Sequence, residues 1–159
     1  MNVRDREFQT TLKVLQAYPE DKMNMKPAEK SRTAAELAMI MAVEEHVITS
    51  LIHTGATNLE LLNPKLPASM KAIIAEWQQA VSENNALLAK LASEKFEKPV
   101  HFYSMNIPFA QALWIELFDH IHHRGQFSVY LRLAGAKVPS IYGPTADEPR
   151  RHVGSNAGN

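Results

Sequence analysis

The residues able to do chemistry gather in "FDHIHHRGQ", Phe118 to Gln126, where one aspartate, three histidines and one arginine lie between Asp119 and Arg124. In a helix, Asp119 and His123 stand one turn apart, so both side chains can reach a single point. At 100° per residue, Ala112, Glu116, Asp119, His120, His123, Phe127 and Tyr130 share one face. An earlier apolar stripe of Leu37, Ile40, Met41, Val47, Ile48 and Leu51 carries Glu44 in its middle. A buried carboxylate without a partner costs several kcal/mol or shifts its pKa strongly, so something must compensate Glu44. One solution is a divalent metal ion held by Glu44, Asp119 and His123, with open positions for water or substrate. The other is a buried polar pair, Glu44 with His120 or His123, in which Asp119 fixes the ring. These residues alone leave both open.

The neighbouring polar groups have plainer expectations. Glu116, one turn from Asp119 and His120, is a reserve ligand. His120 can serve as a ligand but is expected rather to support one or be buried, His122 to face solvent or a loop, and Arg124 to pair with a carboxylate of the tail or of another helix. Gly125 costs a helix interior about 1 kcal/mol relative to alanine, which suggests close approach by another backbone or a ligand, or a simple packing gap. His46 and His53 read as surface residues, and His101 and His152 carry no pattern. Trp77 and Trp114 stand at core or interface spacing.

Four segments of helical periodicity must position these groups. The first, from about Val3 to Tyr18, places Phe8, Leu12 and Leu15 on one face and ends at Pro19. A capping-box pattern at Thr33 and Glu36 opens the second, which runs to about Thr54 before Gly55. The third is expected from about Pro67 to Lys95, and the fourth from about Pro108 to Ala134. Between them, "KPVHFYSMNIP" reads as extended or loop, because each proline disfavours helix on its N-terminal side. Connections of about 10–13 residues are long for a bundle but compatible with one. The expected fold is all-α, a four-helix bundle over residues 1–149. The tail is expected to be ordered to about Pro149 through Val138, Ile141 and Tyr142, with 150–159 a flexible C-terminal segment.

Composition removes several function classes. The 159 residues suit one domain. With 17 basic and 17 acidic residues, no basic field would attract nucleic acid. Cysteine is absent, which excludes disulfides, thiolate metal sites and a protein-borne thiol nucleophile. The charged start "MNVRDREFQTTLK" does not read as a signal peptide, and no run approaches membrane-spanning length. The expectation is a cytoplasmic protein without membrane association. Trp77, Trp114, Phe109 and several methionines exceed what a narrow bundle seam readily buries, which suggests a homodimer.

The run "HHRGQFSVYLRLAGAKVPSIYGPTADEP", with "SRTAAELAMIMAVEEHV" before it, resembles the DinB/YfiT-like superfamily of metal-binding four-helix bundles. The resemblance is dense from Asp119 to Pro149, and helix order and spacing agree over nearly the whole chain. It implies three metal ligands, usually histidines: one on the second helix and an i, i+4 pair on the fourth. The last ligand falls on His123, the one before it on Asp119, and the second-helix position on Ile40, which cannot ligate. Either the site is vestigial, or Glu44 substitutes from one turn further along the same face. A carboxylate left in an apolar stripe favours substitution, giving a Glu44, Asp119 and His123 set.

The resemblance further implies thiol-dependent chemistry, such as an S-transferase or isomerase that uses glutathione, mycothiol or bacillithiol, and a dimer in many members. A divalent metal lowers the pKa of a bound thiol, and this chain has no thiol of its own. Two carboxylates and an imidazole make a hard site suited to Zn, Ni, Mn or Fe. The alternatives are a non-enzymatic, stress-associated binding protein with a vestigial site, and a metal-dependent hydrolase.

Overall fold

The computed structural model describes residues 3–149, and each of its four long helices is explained by local chemistry. Helix α1 spans Val3–Gln16 and buries Phe8, Val14 and Leu15. Helix α2 spans Ala34–Thr54. At its start the Thr33 hydroxyl accepts from the Glu36 amide (3.1 Å) and Glu36 accepts from the Thr33 amide (2.6 Å). At its end Gly55 takes φ +74°, and its amide closes on the Leu51 carbonyl. Helix α3 spans Met70–Leu88, shorter at both ends than the periodicity suggests. Ser69 caps it by accepting from the Ala72 amide (3.1 Å), so the helix starts there and not at Pro67. Leu91 still packs against the core, but from the tight turns that follow. Helix α4 spans Phe109–Leu133 and ends close to where expected.

The segment read as extended or loop is a small antiparallel hairpin, β1 (Pro99–Phe102) with β2 (Met105–Pro108). Its two-residue turn puts Tyr103 at φ +52°, a left-handed conformation that glycine usually supplies. The hairpin is tied to the end of α2 through Thr57 N to His101 O (2.9 Å) and His101 N to Gly55 O (2.8 Å). The chain just before the hairpin satisfies the start of α4, where the Phe109 and Ala110 amides donate to the carbonyls of Lys98 and Phe96. The chemistry-bearing helix is thus anchored to the chain that precedes it.

Helix α2 is the central element, packed on both α3 and α4. That position explains why it buries residues almost all round, Glu44 and Glu45 included. Trp77 and Phe109, expected to leave apolar surface, are in the core instead, as are Met39, Met41 and Met70. The tail folds back on α4 and is held by Arg132 to Asp147 (2.7 Å) and by Val138 N donating to Asp147 (2.9 Å). The expected flexible segment 150–159 lies outside the described residues. Among the described residues, no helix is long and apolar enough to cross a membrane.

Candidate metal centre

Glu44 from α2 meets Asp119 and His123 from α4, and one ligand atom from each lies within 4.8 Å of the others. This is the trio the sequence nominated. Glu44 is buried, His123 half-buried and Asp119 exposed, so the cluster opens towards solvent on the Asp119 side. His123 Nε2 stands 3.8 Å from Glu44 Oε1 and 3.8 Å from Asp119 Oδ2. These gaps are too long for hydrogen bonds. They are close to the about 3.4 Å that separates ligand atoms around a tetrahedral ion with bonds of about 2.1 Å. Glu44 Oε1 is buried with no hydrogen-bond partner among the described residues. An orphaned buried carboxylate oxygen facing an imidazole nitrogen and a second carboxylate is a donor set that a divalent ion fits. Among the described residues His123 Nδ1 is also buried without a partner, and none of them selects its tautomer by a hydrogen bond.

The polar pair exists as well, on the other oxygen of the same carboxylate. Glu44 Oε2 lies 3.1 Å from His120 Nδ1, and His120 Nε2 lies 2.8 Å from Thr11 Oγ1. The two solutions therefore coexist: His120 holds Glu44 from behind and leaves Oε1 aimed at the cluster. Burial drives the His120 pKa down to about 3, helped by the charges of Arg124 and Arg4, so the ring is neutral. Burial first, and then the charges of Glu116, Asp119 and Glu45, push Glu44 well above the usual carboxyl range. The Thr11 hydroxyl also lies 3.1 Å from the Glu7 carbonyl, so one neutral ring joins α1 to Glu44 through its two nitrogens.

Other expectations divide. Glu116 is buried but does not join the ligand cluster, because its carboxyl turns to the Tyr103 hydroxyl (3.5 Å). His122 and His53 are exposed as expected, whereas His46 is half-buried and lies 3.2 Å from Glu76 on α3. Arg124 finds the carboxylate of another helix, Glu7 of α1 (2.7 Å), while the tail supplies a hydroxyl, Tyr142 (2.7 Å), and not a carboxylate. Gly125 is approached by nothing: a Cβ there would meet no atom within 4 Å, because the residue lies on the outer face of α4. Trp77 is buried and Trp114 is 52% exposed. Ile40, which cannot ligate, is half-buried and packs against the core.

Sequence reasoning missed a second buried acid, Glu45, which pairs with Arg4 and accepts from Asn84 (2.8 Å). The signal was the near-continuous apolar composition of α2, which implied burial of both members of "EE" and not of Glu44 alone. Thr11 and Tyr103 gave no signal, since their roles depend on contacts with distant parts of the chain. Beyond His123 along α4, Gln126 and Tyr130 line a cavity of about 690 Å³ with Arg32, Lys30 and Leu37. Tyr130 donates to the Arg32 carbonyl (2.9 Å); burial lowers the proton affinity of His123, against the opposing charge of Asp119, and Arg32 adds to the lowering.

This fold has relatives. The model of the DinB family matches residues 3–153, and the chain belongs to that family. A curated relative, "Uncharacterized protein YrdA" of Bacillus subtilis (strain 168), is 26% identical over 148 residues, covering 89% of this chain and 85% of the relative. The crystal structure of a DinB-like protein from Bacillus cereus ATCC 10987 superposes with a TM-score of 0.76 at 23% identity, over 87% of this chain and 93% of that one. The mycothiol-dependent maleylpyruvate isomerase superposes with a TM-score of 0.61 at 12% identity, over 89% of this chain and 66% of that one. At these identities the two structures establish the shared fold.

Proposed function

We propose that the protein is a metal-dependent member of its family in which Glu44, Asp119 and His123 hold one divalent ion and an external low-molecular-weight thiol is the co-substrate, in an S-transfer or isomerisation. The carrying observation is Glu44 Oε1, buried and unpartnered, with His123 Nε2 at 3.8 Å. A divalent ion there would lower the pKa of an added thiol or water. His120 orients Glu44, and the exposed position of Asp119 leaves the approach open. The thiol part of the reading is supported by the absence of cysteine from the chain and by the fold shared with an enzyme described as mycothiol-dependent. Lys30 and Arg32 at the cavity beyond His123 suit a carboxylate-bearing thiol or substrate. Zn, Ni, Mn and Fe all match this donor set.

Elemental analysis of protein purified without added metal or chelator tests the first half, with about one ion per chain expected. Calorimetry with glutathione, mycothiol and bacillithiol tests the second. Heat should appear with metal-loaded protein and vanish after chelation. A metal-loaded protein indifferent to all three thiols would point to the hydrolase, and a metal-free one to the non-enzymatic binder.

A further inference from the structure

Glu116 is a second unexplained acid beside the cluster. It is 3% exposed, and its Oε2 is buried with no hydrogen-bond partner among the described residues. The other oxygen, Oε1, receives only the Tyr103 hydroxyl, at a long 3.5 Å. Tyr103 reaches it from the hairpin turn at φ +52°, a backbone conformation that costs a non-glycine residue about 1 kcal/mol or more. A strained residue aimed at an under-satisfied acid suggests a function. Burial and the charges of Asp119 and Glu45 push the Glu116 pKa up to about 8, while Glu116 raises Glu44 in turn. Glu116 therefore shares the electrostatic field of the ligand cluster while lying outside it.

We infer that Glu116, oriented by Tyr103, is the proton acceptor for the thiol that enters beside the Glu44, Asp119 and His123 cluster. The thiol S–H bond breaks, the electron pair stays on sulfur, and an O–H bond forms on the Glu116 carboxylate. The unpartnered Oε2 is the atom free to take the proton. A divalent ion held by the cluster would lower the carboxyl's own proton affinity, so that Glu116 would be ionised before the thiol arrives. Glutamate in this position keeps the proton at the site, where it can be returned to a product. This assignment rests on the metal and thiol reading proposed above.

The test counts protons. Wild-type, Glu116→Gln and Glu116→Asp proteins, each loaded with zinc, are titrated calorimetrically with glutathione and with 2-mercaptoethanol at pH 7, in buffers of different ionisation enthalpy. Wild type should release less than about half a proton per bound thiol to the buffer, and Glu116→Gln about one. Glu116→Asp, which keeps a carboxylate, should fall between them. Zinc content should be the same in all three, and Tyr103→Phe should shift the pH at which the wild-type count changes to a higher value. Equal counts in wild type and Glu116→Gln would overturn the assignment, as a merely structural Glu116 predicts. Loss of zinc from Glu116→Gln would overturn it differently, making Glu116 a ligand. Wild type that takes up no zinc would sink the metal reading itself. A zinc-loaded protein giving no heat with either thiol would sink the thiol reading and this assignment together, with the metal cluster intact.

Discussion

Glu44 does two things with one carboxylate. Its Oε2 engages His120, and its Oε1 is left for the cluster. Replacing it should therefore cost both metal and stability. Glu44→Ala and His123→Ala are each expected to lower metal occupancy at least about tenfold, measured by elemental analysis, while circular dichroism shows unchanged helix content. Glu44→Ala should also destabilise the metal-free protein by about 1–3 kcal/mol, since His120 Nδ1 loses its partner. If Glu44→Ala kept its full metal, the α2 ligand would be misassigned. Glu116 makes a separate prediction about pH. Its folded-state pKa is raised from 4.5 to about 8, so the folded, metal-free chain holds a proton that the unfolded chain releases. Stability from this group is complete below pH 4.5 and is lost as pH rises through about 8. Melting temperatures of chelated protein between about pH 5 and pH 9 should fall more steeply in wild type than in Glu116→Gln, by the equivalent of a few kcal/mol.

At the scale of elements, the ligand-bearing face of α4 is held in register by a buried ion pair one residue beyond His123. Arg124 is 1% exposed, donates to the Glu7 carboxylate (2.7 Å) and the Glu7 carbonyl (3.0 Å), and reaches the Tyr142 hydroxyl (2.7 Å). Tyr142 in turn donates to Glu7 (2.7 Å), so helix α1, helix α4 and the tail meet on one guanidinium. Arg124→Ala leaves the buried Glu7 with the Tyr142 hydroxyl but without a counter-charge, and should cost about 3–5 kcal/mol in urea unfolding with an unchanged m-value. The double replacement Arg124→Leu with Glu7→Leu should recover most of that loss, because apolar groups of similar size need no partner. Tyr142→Phe, which removes one hydrogen bond at a more exposed position, should cost only about 1 kcal/mol.

At the scale of the whole molecule, the outer face of α4 remains apolar. Trp114 (52% exposed), Phe118 (61%) and Val129 (56%) follow one stripe that also contains Ile121 and Gly125. Trp114 and Phe118 already touch, with ring centroids 5.7 Å apart. Gly125 has no Cβ, and one built there would meet no atom within 4 Å, so a second backbone could approach closely there. We propose that a second copy covers this stripe, since one face along one helix is self-complementary under a two-fold axis. Light scattering should give twice the chain mass of 17.9 kDa, and Phe118→Glu should give the single-chain mass with an unchanged circular dichroism spectrum. A wild-type monomer at micromolar concentration would remove the idea.

By itself the sequence determined the local facts. Helix α2 begins at Thr33 and ends at Gly55 because a capping box and a left-handed glycine act within a few residues. Asp119 and His123 face one point because they are one turn apart on α4, and Glu44 is buried because its neighbours in α2 are apolar. Those features were legible, and they included the metal candidates. Periodicity measures an angle about one helix axis, however, and says nothing of how far two helices slide or turn against each other. Only tertiary packing could therefore decide which histidine takes Glu44, and it is His120, 76 residues away in the chain. The same packing buried Glu45 by placing α2 between α3 and α4, and joined Glu7 to Arg124 across 117 positions. It also kept Glu116 off the ligand cluster, because the hairpin, which sequence patterns showed only as extended chain, delivers Tyr103 to it.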